Sequence, residues 1–289
     1  MAIKNFENGR VEIGGRVVRK SNPEERKTLG MRPEYAATLE YVLSQTGFDP
    51  KSNANMQNLV KRDDEYLRNA LMDFEKSLFA AYQDAMTPAI SSVKNIMADT
   101  RFTNEARRNE ALKAIEPARV KWIAAASKYL LNLQNGLRDI EILIGLALVP
   151  ETEGMTPEVV EARARECREA VLGMEPGACA KLLLELGAKG ALEPLHSLKS
   201  DPLKREAASA EVLAGAREAA IMAQGGEWLL FDWKQHKRIL EAAGARLATM
   251  EAGTNYGLQA LGLEGFDGNA AQWVQVVNNA LAKSEAVLV

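Results

Sequence analysis

Along most of this chain, apolar positions recur at steps of three and four, the period of one face of an α-helix. From about Asn53 to Ala98 the row is Met56, Val60, Leu67, Leu71, Phe74, Leu78, Tyr82 and Met86, with a gap at Asp63-Asp64. Charged residues fill the opposite side. A second long run carries Leu112, Ile115, Val120, Ile123, Leu130, Leu137, Ile140 and Ile144 and ends near Val149, with Thr103 or Asn104 as its cap. Pro88 and Pro117 interrupt the two runs, and each predicts a kink or a restart. Helices this long are not held by propensity and must bury their stripe, as an antiparallel hairpin or part of a bundle. The stretch Ile142 to Val149 is continuously apolar and reads either as a helix end or as a buried strand.

After Pro150 to Gly154 the helices shorten. Thr156-Pro157-Glu158 combines an N-cap, a proline at the first helical position and an acid in the first turn, and Gly173 ends that helix. Pro176 to about Gly187 carries Leu182, Leu183, Leu184 and Leu186. A turn-rich stretch leads on to Ser200. Asp201-Pro202 opens a helix to Gly225-Gly226 whose contact face is small: Ala207, Ala210, Ala214 and Ile221. Trp228 to Ala252 forms the next helix, closed by Gly253. Gly257, Gly262, Gly265 and Gly268 break the next stretch into turns, and Asp267 or Asn269 caps a last helix from Ala270 to about Val287.

The N-terminus obeys another rule. Short apolar pieces flank Asn8-Gly9 and precede Gly14-Gly15, which predicts a hairpin or three-stranded meander over residues 3–19. Ser21 and Glu24 have capping-box spacing, and Pro33 opens a helix to about Thr46 with Leu39, Val42 and Leu43 apolar. The expected fold is all-α: long kinked helices in a bundle, with a small N-terminal β-hairpin or meander. The expected parts are an arm over 1–32, a long-helix bundle over 33–149 and a shorter-helix α domain over 155–289, the last two either separate or packed as one unit.

Charge supports that division. Residues 1–150 carry 22 basic against 19 acidic side chains, residues 151–289 carry 14 against 20, so the sign changes at the polar boundary. The net charge of -3 argues against a dedicated nucleic-acid binder. No run approaches the length of a membrane span, and the start lacks the apolar region of a signal peptide. The expected location is the cytoplasm, or an assembled virion if the chain is phage-encoded.

Candidate chemistry is sparse. The chain has 2 histidines and 2 cysteines. Cys167 and Cys179 read as buried free thiols in a reduced compartment. His196 lies in a loop-like context, Glu193-Pro194-Leu195-His196. His236 falls on the stripe Leu229, Trp233, His236, Leu240 and Leu247. Glu193 and His196 have the spacing of half a di-metal bundle motif, but Trp233 stands where the second acid would be needed before His236. The glycines make no phosphate cradle, and Asp63-Asp64-Glu65 reads as a solvated face. We expect no catalytic residue, no metal and no cofactor.

Two groups could meet a partner. One is basic: Arg10, Arg16, Arg19 and Lys20, with Arg26 and Lys27 beyond. The other is the aromatic cluster Trp228, Phe231 and Trp233: tryptophan at helical spacing is most often core, but these residue types are also common at interface hot spots, which makes a subunit contact the alternative. In general character, a β-bearing N-terminus on a long-helix body, the chain resembles phage virion and assembly proteins. Long kinked helices, a small N-terminal hairpin and the apolar residues Val287-Leu288-Val289 are all better satisfied by neighbours, so the expected partners are copies of itself and other assembly proteins. The expected function is a non-enzymatic structural component of a homo-oligomeric assembly; the alternative is a helical adaptor or inhibitor that binds a single protein. On this reading residues 1–32 are an intermolecular arm. Their deletion would leave thermal stability nearly unchanged and lower the oligomeric mass.

Overall fold

The structure, a computed structural model, describes residues 3–6, 9–20, 72–199, 207–263, 270–285 and 288. Among the described residues three strands come first: β1 (Ile3–Asn5), β2 (Arg10–Ile13) and β3 (Arg16–Arg19). Eight described helices come after them: α1 (Met72–Ala98), α2 (Asn104–Ala147), α3 (Pro157–Leu172), α4 (Pro176–Ala188), α5 (Leu192–Lys199), α6 (Ala210–Ala223), α7 (Glu227–Ala260) and α8 (Ala270–Glu285). The all-α body with a small N-terminal sheet is therefore as the pattern predicts. The helix over 33–46, the earlier part of the long run from Asn53, the acid cluster at Asp63, Asp201-Pro202 and the cap at Asp267 or Asn269 lie outside the described residues. So do Ser21 with Glu24, Asn8, Arg26, Lys27, Gly265, Gly268 and Val287.

Contacts gather the chain into two units. Unit 1 comprises residues 1–23, 136–235 and 281–289; unit 2 comprises 24–135 and 236–280. Helices α2, α7 and α8 contribute residues to both.

In unit 1 the strands form one antiparallel sheet in chain order. The tight turn is Gly14-Gly15, where φ is 53° and 78°; both values suit the two-residue hairpin turn that matches strand twist. Alternation places Ile3, Val11 and Ile13 on one side, at 2%, 0% and 0% exposure. That side lies on helices of the same unit. A side chain on Gly14 would meet Leu146 of α2, and one on Gly226 would meet Ile3. The apolar face of the described strands thus rests on helices of its own unit. So small a sheet needs an apolar support, and it finds one within its own chain.

Helix α6 is the centre of unit 1. Gly187 of α4 lies so close to Ala216 of α6 that a Cβ would sit 2.2 Å from the Ala216 carbonyl oxygen. The buried face of α6 is Ala216, Arg217, Ala220 and Ile221; of the expected row Ala207, Ala210, Ala214 and Ile221 it keeps Ile221 and is otherwise turned by about one residue. Arg217, at 2% exposure, donates to the carbonyls of Leu288 (2.8 Å) and Leu195 (3.3 Å). Gln224 donates to the carbonyl of Ala147 at the end of α2, at 3.5 Å.

In unit 2, α1, α2 and α7 converge on Tyr82. Its hydroxyl shares a 2.8 Å hydrogen bond with Thr254. Its ring meets Trp122 edge-on, at 5.1 Å between centroids and 85° between planes. Leu78, Met86, Ile90 and Val93 continue the buried stripe of α1. Between α7 and α8, Gly244 admits Val277: a Cβ there would lie 2.5 Å from it.

Several expectations change. Both α1 and α2 run through their prolines, so the missing amide costs one hydrogen bond and does not restart the helix. Ile142 to Ala147 is helix, and the amides of Leu148 and Val149 still bond back to Ile144 and Leu146. Residues 192–199 form α5, because Pro194 falls in a first turn, where proline is tolerated. Helix α7 continues through Gly253 and Gly257 to Ala260. It closes at Gly262, φ 95°, where the amide of Leu263 bonds to Leu258 in a Schellman arrangement. Other caps match: Thr156 precedes Pro157, and Thr103 accepts from the Ala106 amide at 3.2 Å.

The docked sheet and the α4–α6 contact have measurable consequences. Ile13→Ala should lower unfolding stability by about 2–4 kcal/mol, and deleting residues 1–19 should lower the thermal midpoint. Gly187→Ala should cost roughly 1–3 kcal/mol, since the clash is with backbone. Thermal and urea unfolding of the variants would check all three; an unchanged midpoint on deletion would favour the arm.

Candidate functional site

Unit 2 holds a half-open groove of about 360 Å³ between α2 and α8, floored by α7. Helix α2 supplies Arg119, Ile123, Ser127, Leu130 and Gln134, steps of four, four, three and four that keep one face. Leu131 stands beside them on the rim. Helix α8 supplies Gln272, Trp273 and Val276, and α7 supplies Glu251. A volume of this size, mostly apolar with a few polar groups, is typical of a cleft that takes a ligand or a partner's side chains.

The polar end of the groove is an ion pair. Arg119 holds one oxygen of Glu251 with two nitrogens, Nη2 at 2.9 Å and Nε at 3.3 Å. The two side chains are unequally placed: that of Arg119 is 23% exposed and that of Glu251 only 5%. The guanidinium thus holds the Oε1 side of a nearly buried carboxylate. At the other end, large apolar side chains face solvent, with Leu131 at 54% exposure and Val276 at 37%. Val120, one helical row along from Leu131, is 64% exposed, although the sequence pattern places it on the buried stripe. The stripe that α2 buries in unit 2 is Ala111, Ile115, Trp122, Ala126 and Leu130.

None of the residues singled out from sequence lines this groove. Arg10, Arg16 and Arg19 are exposed on the sheet and Lys20 is half-buried. Trp228 and Trp233 are core residues of unit 1, at 4% and 5% exposure, and Phe231 is half-buried. Trp233 donates its indole N–H to Ser284 at 3.1 Å. Both tryptophans are therefore packed within unit 1. The signal that could have found the groove is the unburied apolar surplus of α2 and α8, which Val120, Leu131, Val274 and Val276 carry.

His196, on α5, and His236, on α7, are both half-buried. Among the described residues no group of three or more His, Cys, Asp or Glu could hold a metal ion. No described helix is long and apolar enough to cross a membrane. Arg246, on α7, is fully buried, and burial pushes its guanidinium down to about 9. Compared with known protein families, curated proteins and solved structures, the chain matches none.

Both cysteines are free, Cys179 buried and Cys167 half-buried. Burial pushes both thiols up, and for Cys167 the carboxylates of Glu193 and Glu166 add to it. A raised thiol carries less thiolate at neutral pH and is a weaker nucleophile. Native protein at pH 7 should therefore react with Ellman's reagent more slowly than a model thiol, at both sites, and reach full stoichiometry on denaturation. A fast native phase would mark one thiol as activated.

Proposed function

We propose that this chain is a non-enzymatic structural component of a homo-oligomeric assembly, of the kind that builds a phage virion. The observation that supports the reading best is the apolar surface of unit 2. Val120 and Leu131 are eleven residues apart on α2, three turns of helix within about 20° of rotation, and so make a row about 16 Å long. The groove with Val276 on its rim runs beside Leu131. Apolar surface that lies open in a row is what a packed neighbour covers. A row of this length suits a helix laid alongside better than a compact small molecule, which would occupy the groove and leave Val120 wet.

The hydrophobic gain on covering these side chains is about 25 cal/mol for each Å² removed from water. A charge placed in the row would have to be desolvated on assembly. Leu131→Glu, or Leu131→Glu with Val276→Glu, should therefore shift the protein toward the mass of one chain in size-exclusion chromatography with light scattering. The wild type should elute as a multiple of that mass. A wild-type protein that stays a monomer at high concentration would remove the homo-oligomer and leave the single-partner adaptor.

A further inference from the structure

Strand β3 is an edge. It pairs with β2 in the register Arg10↔Arg19, Val11↔Val18, Glu12↔Val17 and Ile13↔Arg16, and no described strand pairs with its other side. The two-residue turn at Gly14-Gly15 makes Ile13 and Arg16 the hydrogen-bonded pair beside it. Alternation makes Val11 and Val18 the next. The backbone amides and carbonyls of Val17 and Arg19 therefore point away from β2, toward the open side. The side chains along this edge are accessible: Val17 is 58% exposed, and Arg16 and Arg19 are exposed. Cross-strand from Arg19 stands Arg10, also exposed.

We propose that the open edge of β3 binds an extended acidic segment of a partner protein, which adds a fourth strand to the sheet. Backbone pairing supplies the geometry, as in other cases of strand addition. The arginines supply the choice of partner. Two copies of β3 laid antiparallel about Val18 would set Arg16 against Lys20 at both ends, and like charges directly opposite are destabilising. The basic residues that keep the edge from pairing with itself complement a strand with carboxylates at both ends and apolar or β-branched residues between. Arg16 and Arg19 lie on opposite faces of the strand, so the acidic residues of the partner must also lie on both faces, three positions apart.

The test is fluorescence anisotropy with a labelled peptide, Ser-Glu-Val-Thr-Glu-Ser, on the full chain. Binding is expected, with loss of affinity as salt is raised. No binding is expected for the peptide with lysines in place of the glutamates. Arg16→Glu with Arg19→Glu should weaken binding by about tenfold or more, since each removes a charge-assisted contact. Val17→Pro removes only an outward amide, which β2 does not use, and should weaken binding while the thermal midpoint holds. Should Val17→Pro unfold, the peptide methylated on its central backbone nitrogens removes the same hydrogen bonds from the other side. The idea fails if the acidic peptide does not bind, or if the methylated peptide binds as well as the plain one. It also fails if an oligothymidylate binds and the acidic peptide does not, because the surface would then recognise charge alone.

Discussion

Unit 1 depends on the absence of one carbon atom. With glycine at 187, α4 can lie against the backbone of α6 at Ala216; with any other residue it cannot. The consequences run along α6 in order. Arg217 comes next and is carried inward by that contact, where it finds the carbonyls of Leu195 and Leu288. Burial lowers its pKa, the mark of a charge removed from water, and the two carbonyls offset part of that cost. One turn on, Ala220 and Ile221 are fully buried, and Gln224 reaches Ala147. The helix ends at Gly225-Gly226, the turn against which Ile3 of the sheet is seated. Helices α4 and α5, the end of α2 and the sheet are each tied to a successive position of one short helix.

This arrangement explains which parts of the fold were legible in the sequence. Helix phase was legible where the buried face is purely apolar, as in Leu78, Tyr82 and Met86. On α6 it was legible only in part: of the expected row Ala207, Ala210, Ala214 and Ile221, Ile221 lies on the buried face, and the row leaves out Arg217, which sits in the middle of that face. Glycine was ambiguous for a related reason. Gly187 and Gly253 read as helix ends, yet both lie within helices. The true ends are at Gly190, Gly225 and Gly262, where φ is positive. A glycine that ends a helix and one that admits a neighbour look the same in one dimension. The Trp228 cluster was legible as important but not as core or surface, since large aromatics serve both. The groove was hidden because its α2 face mixes Arg119, Ser127 and Gln134 with Ile123 and Leu130, which reads as an ordinary mixed face.

Unit 2 solves its packing with polar groups placed at defined points among apolar ones. Tyr82 fills space with its ring against Trp122 and satisfies its hydroxyl on Thr254, so one side chain orders three helices. One turn away on α2 and on α7, Arg119 and Glu251 repeat the pairing with charge. Such a pair adds little net stability when exchanged for apolar groups, but breaking it leaves a buried carboxylate. Its effect is to fix how α2 and α7 are aligned at the floor of the groove. The walls above it mix apolar and uncharged polar side chains and are open, so their geometry is set from below while their surface stays available.

The two surfaces left open by this fold obey different physics. The α2–α8 row is uncharged at its exposed positions, and covering it is driven by area removed from water; salt screens nothing there, and cooling weakens it. The β3 edge works through backbone hydrogen bonds and guanidinium groups, and charges this exposed are screened within about 10 Å at 0.1 M salt. If both proposed contacts form, high salt should leave the apolar one and weaken the strand pairing, and low salt in the cold should do the reverse. Ionic strength and temperature together can therefore assign any observed association to one surface before a residue is changed.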